Sequence, residues 1–249
     1  MKTSLTSLAL GAAITGSAFA QSAPAPVAPA APIVDAFTVT EKVAVYAKDG
    51  SASSVAGLES TIGAKALGLD WHLTLPVFVS DTTGYGGLDL GVNWDALKSV
   101  DFIGAKTTLS LEGGLWMPVG SANYATTNLD PHIGAAAAFD WGKFDLAQSF
   151  DWRFVGGSYY DPYLDRVSND VATLVTNLDY TLTDTISVGA DLTQKYVCES
   201  GDGVILLGPS VKWAAASSVD VSAGIGFPLW QQLAVENNCV VNAGVSIKF

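Results

Sequence analysis

Charge is scarce in this chain. Asp, Glu, Lys and Arg make up 14% of its 249 residues, where an average soluble domain carries roughly a quarter. Long apolar runs are missing as well. Beyond the first twenty residues no stretch reaches the roughly eighteen apolar residues that a helical membrane span requires, although 49% of the chain is hydrophobic. The hydrophobicity is spread thinly, as alternating strands spread it. Only two histidines and two cysteines are present. No metal-ligand spacing, glycine-rich phosphate loop or basic aromatic patch occurs, so no cofactor and no metal site are expected. With 12 basic and 24 acidic residues the formal net charge is −12. That sign argues against nucleic acid as a partner, since phosphate binding needs the opposite one.

Residues 1–20, MKTSLTSLALGAAITGSAFA, read as a secretory signal peptide. Lys2 supplies the positive start, Leu5 to Ile14 the short apolar centre, and Ala18-Phe19-Ala20 a small-x-small cleavage site. Residues 21–36 carry Pro24, Pro26, Pro29 and Pro32 among alanines and are expected to be an extended linker. In an exported protein an even cysteine count suggests a disulfide, here Cys198 to Cys239. It would tie the links at 198–203 and 230–239 together, for about 4 kcal/mol in the loop-entropy picture.

From Phe37 onward one pattern recurs: segments of about ten residues with alternating polarity, separated by turn residues. Twelve are predicted, at 37–48, 58–67, 71–80, 86–94, 106–117, 132–141, 144–155, 170–180, 186–197, 204–214, 219–229 and 240–249. Short links alternate with longer ones, the longest being GSANYATTNLD, GSYYDPYLDRVSN and WQQLAVENN. An even strand count with short turns at one end and long loops at the other predicts an all-β fold, an antiparallel up-and-down transmembrane β-barrel over 37–249.

The aromatics follow the same scheme. At the short-turn end one parity holds Phe37, Trp71, Trp94, Trp141, Phe144, Tyr180, Trp213 and Phe249, as a girdle at headgroup level would. A sparser outer girdle is expected at Trp152, Phe154, Tyr196 and Phe227. Phe144 to Phe154 spans about 26 Å of height at roughly 3.4 Å per residue and a tilt of about 40°, close to the apolar band of about 25 Å. The chain ends NAGVSIKF, with Val241, Ala243, Val245, Ile247 and Phe249 on one face.

These features resemble the Gram-negative outer-membrane β-barrel proteins, small porin- and transporter-like barrels in particular. The resemblance implies a place in the cell outer membrane, outer-membrane lipid as surroundings, a periplasmic position for linker and short turns, and recognition of the terminal Phe249 by the barrel-assembly machinery. The stretch GPSVKWAAASSVDVSAGIGFPLW (208–230) resembles the penultimate hairpin of outer-membrane channels of phenol-degradation pathways.

Fixing the outward parity fixes the inward one. Nearly every strand charge falls inward, where it escapes lipid. Asp89, Glu112, Asp151, Arg153, Asp191 and Lys195 are the candidate lumen-lining residues at mid-height or above. They can line a constriction with a transverse field that selects small polar solutes, or pair with one another and fill the lumen. For about twelve strands the backbone radius is roughly 12 Å, so any hole is narrow. A channel for passive diffusion through a net-acidic lumen is the expected function. A non-conducting barrel acting through its loops is the alternative, and a hydrolase is a lesser one. No serine sits in a nucleophile setting; His72 is placed near the periplasmic rim and His132 at the outer rim beside Asp130, a weak hint of Asp/His chemistry. The inward Trp116 is expected to pack beneath the loop at 118–131.

Overall fold

Backbone polar groups inside a bilayer must find partners within the protein, and strands achieve this only when the sheet closes on itself. The computed structural model describes residues 36–48, 54–234 and 236–249, and its strands meet that condition. β1 (Ala36–Lys48), β2 (Val55–Ala66) and β3 (Leu69–Val79) come first, followed by the short β4 (Thr83–Tyr85). β5 (Leu88–Phe102), β6 (Ala105–Met117), β7 (Asp130–Asp140) and β8 (Phe144–Arg153) continue the wall. β9 (Tyr159–Asp161) and β10 (Asp165–Val167) pair only with each other. β11 (Val171–Thr181), β12 (Ile186–Val197), β13 (Gly203–Ala216), β14 (Val219–Gln232) and β15 (Asn237–Lys248) complete it. β8 pairs with β11, and β15 returns to β1, closing an antiparallel barrel of twelve strands. The segments expected to be signal peptide and linker lie outside the described residues, except Ala36, which opens β1.

Eleven of the twelve predicted segments match a long strand within a few residues. The fourth, expected to stop at Trp94, runs on to Phe102, because two irregularities between Asp95 and Val100 let β5 stay paired with β6. The link after the eleventh segment is also shorter than expected. β14 extends to Gln232 and β15 begins at Asn237. The Gln231 side chain closes that end, its Nε2 donating to the Asn237 carbonyl at 3.2 Å and its Oε1 accepting the Asn237 N–H at 2.9 Å.

The short-turn end is built from tight hairpins. Leu67-Gly68 and Ile103-Gly104 both take positive φ, 58° and 76° in the first pair, 46° and 75° in the second. That is the mirror-image turn whose twist matches the strands. Glycine takes the second site without strain, whereas Leu67 and the β-branched Ile103 sit where side chains rarely do.

Burial is inverted relative to a soluble protein. Phe37, Trp71, Trp94, Trp141, Phe144, Trp213 and Phe249 are exposed, as are Phe154, Tyr196 and Phe227 toward the other end. Tyr180 is half-buried against Phe144, ring centroids 4.8 Å apart, and Phe37 lies 6.0 Å from Phe249. The apolar core lies inside the long-loop end, where Tyr46, Phe78, Val171, Val204, Leu206 and Val240 meet loop residues Tyr124, Tyr159, Leu164 and Val167.

The expected disulfide is not formed. Cys198 and Cys239 are free. Cys198 follows β12 and Cys239 lies in β15 opposite Ala47 of β1, with β13 and β14 between them. Burial, then Asp170 and Glu199, push the Cys198 thiol above its usual range, which slows its attack at neutral pH. Denatured, non-reduced protein is expected to take up two equivalents of maleimide and to migrate alike with and without reductant; a single band shifting on reduction would contradict this.

Candidate functional site

Backbone pairing across four adjacent strands places His72 (β3), Gly91 (β5), Gly114 (β6) and His132 (β7) in one row. All four positions face the lumen. The glycines make room for the imidazoles: a Cβ on Gly91 would lie 2.3 Å from the His72 ring, and one on Gly114 would lie 2.1 Å from His132 Nε2. Asp89, two residues from Gly91 on β5, bridges both rings. Its Oδ2 is 3.2 Å from His72 Nε2 and its Oδ1 is 3.0 Å from His132 Nε2. Asp151 on β8 lies 2.9 Å from His132 Nδ1, and Glu112 on β6 lies 3.6 Å from His72 Nε2. Carboxylates at both ring nitrogens fix the orientation of His132, which is buried together with Asp89.

A second cluster sits above it. Asp130, fully buried, accepts from Arg153 Nη2 at 2.6 Å and Nε at 3.2 Å, from Thr126 Oγ1 at 2.6 Å and from the Gly156 N–H at 2.9 Å. The Arg153 guanidinium lies 3.5 Å from the Tyr159 ring centroid and 4.7 Å from that of Trp116. Trp116 packs against Arg153 and also lines the lumen cavity. One arginine thus joins the wall to the segments 118–129 and 154–170.

The longer segment, 154–170, folds across the lumen. Lys195 Nζ of β12 donates to Asp161 Oδ2 at 2.5 Å, and Lys48 Nζ of β1 donates to the Pro162 carbonyl at 2.8 Å. Asn237 of β15 donates to the Tyr163 carbonyl at 3.0 Å. Arg166 Nη1 donates to the Ala122 and Asn123 carbonyls, and the Tyr160 ring packs edge-on against Phe78 and Tyr124. Burial pushes the phenols of Tyr159, Tyr160 and Tyr163 above their usual range, with Asp161 adding to the effect. They remain neutral hydrogen-bonding and packing groups.

Below this cover lies a cavity of about 610 Å³, lined among others by Asp151, Arg153, Asp191, Lys195, Lys212 and Lys42. Two more, about 460 and 440 Å³, lie toward the short-turn end, and Lys212 lines all three. The bases here face acids: Lys42 with Glu59, Lys212 with Asp179, Lys106 with Asp101, Lys248 with Asp220. Asp191 instead accepts from Asn177 at 2.7 Å and Ser210 at 3.1 Å.

The six candidate lumen residues all face inward, in three groups. Asp89, Glu112 and Asp151 converge on the histidines, Arg153 holds Asp130 at the start of β7 and Lys195 holds Asp161 of the segment 154–170, and Asp191 stands among neutral polar groups. His72 and His132, expected at opposite rims, are brought together on Asp89. Hydrogen-bonded rows climb the wall because barrel strands are tilted, so a residue near the foot of β3 shares a row with one near the top of β7. The Asp130–His132 pairing is replaced by Asp130–Arg153. Asp161, the loop partner of Lys195, carried no signal in the sequence beyond its place in a long link.

Arg153→Met leaves Asp130 buried without its cation, and should cost about 3–5 kcal/mol while loosening both segments, read as increased proteolysis at 154–170. Gly114→Ala should displace His132 and lower stability by about 1–3 kcal/mol. Gly113→Ala is its control, since its Cβ would meet nothing nearer than 3.9 Å. Equal unfolding midpoints for these two variants would contradict the row.

No family model matches the chain, and no curated protein matches it at a significant level. Solved structures do. An outer-membrane channel from Pseudomonas putida F1 is similar with a TM-score of 0.66 and 13% identity, over 90% of this chain and 100% of that one. The NanC porin gives 0.59 and 10%, over 85% of this chain and 100% of its own. The KdgM porin, solved in complex with disordered oligogalacturonate, gives 0.56 and 14%, over 85% and 99%. At these identities the likeness is one of fold, and that fold is the outer-membrane β-barrel.

Proposed function

We propose that this chain is an outer-membrane channel through which small polar solutes diffuse. The observation that carries the reading is a series of cavities with charged and hydroxyl side chains in their lining, all sharing Lys212, inside a barrel whose outer wall is apolar. The long-loop end faces the exterior, the short turns and both ends of the barrel chain face the periplasm, and outer-membrane lipid surrounds the wall. Phe249, exposed at the end of the closing strand, is the element the barrel-assembly machinery reads. The solved channels and porins of this fold support the reading.

In this account the segment 154–170 is the constriction, and it restricts passage to small solutes. Selectivity follows from charge. The lysines and Arg153 of the lumen sit against acids, while the further carboxylates Asp89, Glu112, Asp151 and Asp191 outnumber the two imidazoles that three of them face, so the net field in the narrow part is negative and favours cations and neutral polar molecules. Asp130, the carboxylate beside His132 in the sequence, is committed to Arg153, and His132 is held between Asp89 and Asp151 instead.

One observation favours a second reading, a non-conducting barrel acting through its loops: Tyr159, Leu164 and Val167 are packed into the apolar core across the lumen. Planar-bilayer recording under a salt gradient separates the two. The channel reading predicts small discrete steps with a cation-leaning reversal potential, and several-fold larger steps after deletion of residues 158–168. A heat-modifiable, folded barrel that stays silent before and after that deletion would favour the second reading.

A further inference from the structure

Two polar pairs break the apolar outer wall. Glu41 points to the same side of β1 as the exposed Phe37 and Val45, and away from the side of the buried Tyr46. Across the ladder Ser60 Oγ donates to Glu41 Oε2 at 2.7 Å, and the Glu41 side is exposed. Gln148 points to the same side of β8 as Phe144 and Phe150. Its Nε2 donates to Thr176 Oγ1 of β11 at 3.3 Å, again between ladder partners.

Both pairs lie at one depth. Glu41 is four residues beyond Phe37, and Gln148 is four beyond Phe144, both rings of the short-turn girdle. At roughly 3.4 Å per residue and a tilt of about 40°, each is about 10 Å into an apolar band about 25 Å tall. A carboxyl or amide facing hydrocarbon there meets no water. The pairs are also on opposite walls: going either way round the barrel, four strands separate the β1–β2 seam from the β8–β11 seam.

We propose that these two faces form a lateral contact between copies of this chain within the bilayer, Glu41 and Ser60 of one copy meeting Gln148 and Thr176 of the next. The hydrogen-bonding chemistry is complementary. The Glu41 carboxyl offers acceptor positions beyond the one Ser60 fills, while Gln148 has a second amide N–H and Thr176 a hydroxyl proton to donate. A two-fold contact of the Glu41 face with itself would instead set acceptor against acceptor. Ala137, the other ladder neighbour of Gln148, and Ala243, beside Val43, keep the two walls low enough for close approach. Because the faces are diametrically opposed, the contact does not close into a small ring. It generates rows in the membrane plane.

The inference rests on the bilayer placement of the proposed function. The test is cysteine cross-linking in native membranes, with both native cysteines replaced by serine. Membranes carrying Val39→Cys and Leu146→Cys on one chain, same-face neighbours that leave Glu41 and Gln148 in place, should give dimers and higher ladders with a short bis-maleimide, and either single variant should give none. A dimer from Val39→Cys alone would overturn the head-to-tail contact, as would monomer only from a membrane-embedded, heat-modifiable double variant. Loss of the protein from the membrane fraction would count against the bilayer placement itself. As a second readout without new cysteines, Glu41→Val should leave the barrel folded and abolish amine-reactive or formaldehyde-linked ladders seen with the unaltered chain; ladders unchanged by Glu41→Val would overturn the contact.

Discussion

Everything in this molecule depends on one closure, the ladder between β1 and β15 that runs from Thr38–Lys248 to Lys48–Asn237. It joins the two ends of the barrel sequence and removes the last unpaired sheet edge, which a bilayer would not tolerate. Once the sheet is closed, alternation has only two destinations. One parity meets lipid and must be apolar. The other meets the lumen, where polar side chains must satisfy each other, water or solute.

That second demand explains the interior. Charged side chains in a narrow, partly dry space are stable only with partners, and here nearly all have them. Asp89 bridges two imidazoles, Asp130 is wrapped by Arg153, Thr126 and the Gly156 amide, and Asp161 takes Lys195. The same pairs that neutralise the wall also fasten the segment that covers it. The proposed selectivity therefore shares residues with the structure: a change at Arg153 or Lys195 would alter the cover and the field together.

Much of the fold was legible because a period of two is a local property. The terminal run from Val241 to Phe249, the tryptophans at Trp71, Trp94, Trp141 and Trp213, and the inward charges all follow from parity alone. The site was legible only as a set. Which of Asp89, Glu112, Asp151, Arg153, Asp191 and Lys195 touch depends on shear, and shear is a property of the whole ring. His72 and His132 look as if they belong to opposite rims until the row through Gly91 and Gly114 is known. The loop contacts, Asp161 to Lys195 and Pro162 to Lys48, join residues far apart in sequence and carry no periodic signal. The extension of β5 to Phe102 was hidden because two register shifts break the alternation there.

The central claim is that a polar lumen, covered but not sealed by residues 154–170, passes small solutes. Swelling of liposomes loaded with a large polysaccharide and containing the refolded, heat-modifiable protein tests it most directly. The account predicts influx of glycine and arabinose, a steep fall in rate toward trisaccharides, and recovery of the larger sugars when residues 158–168 are removed. No influx of any solute, with or without that segment, would contradict it.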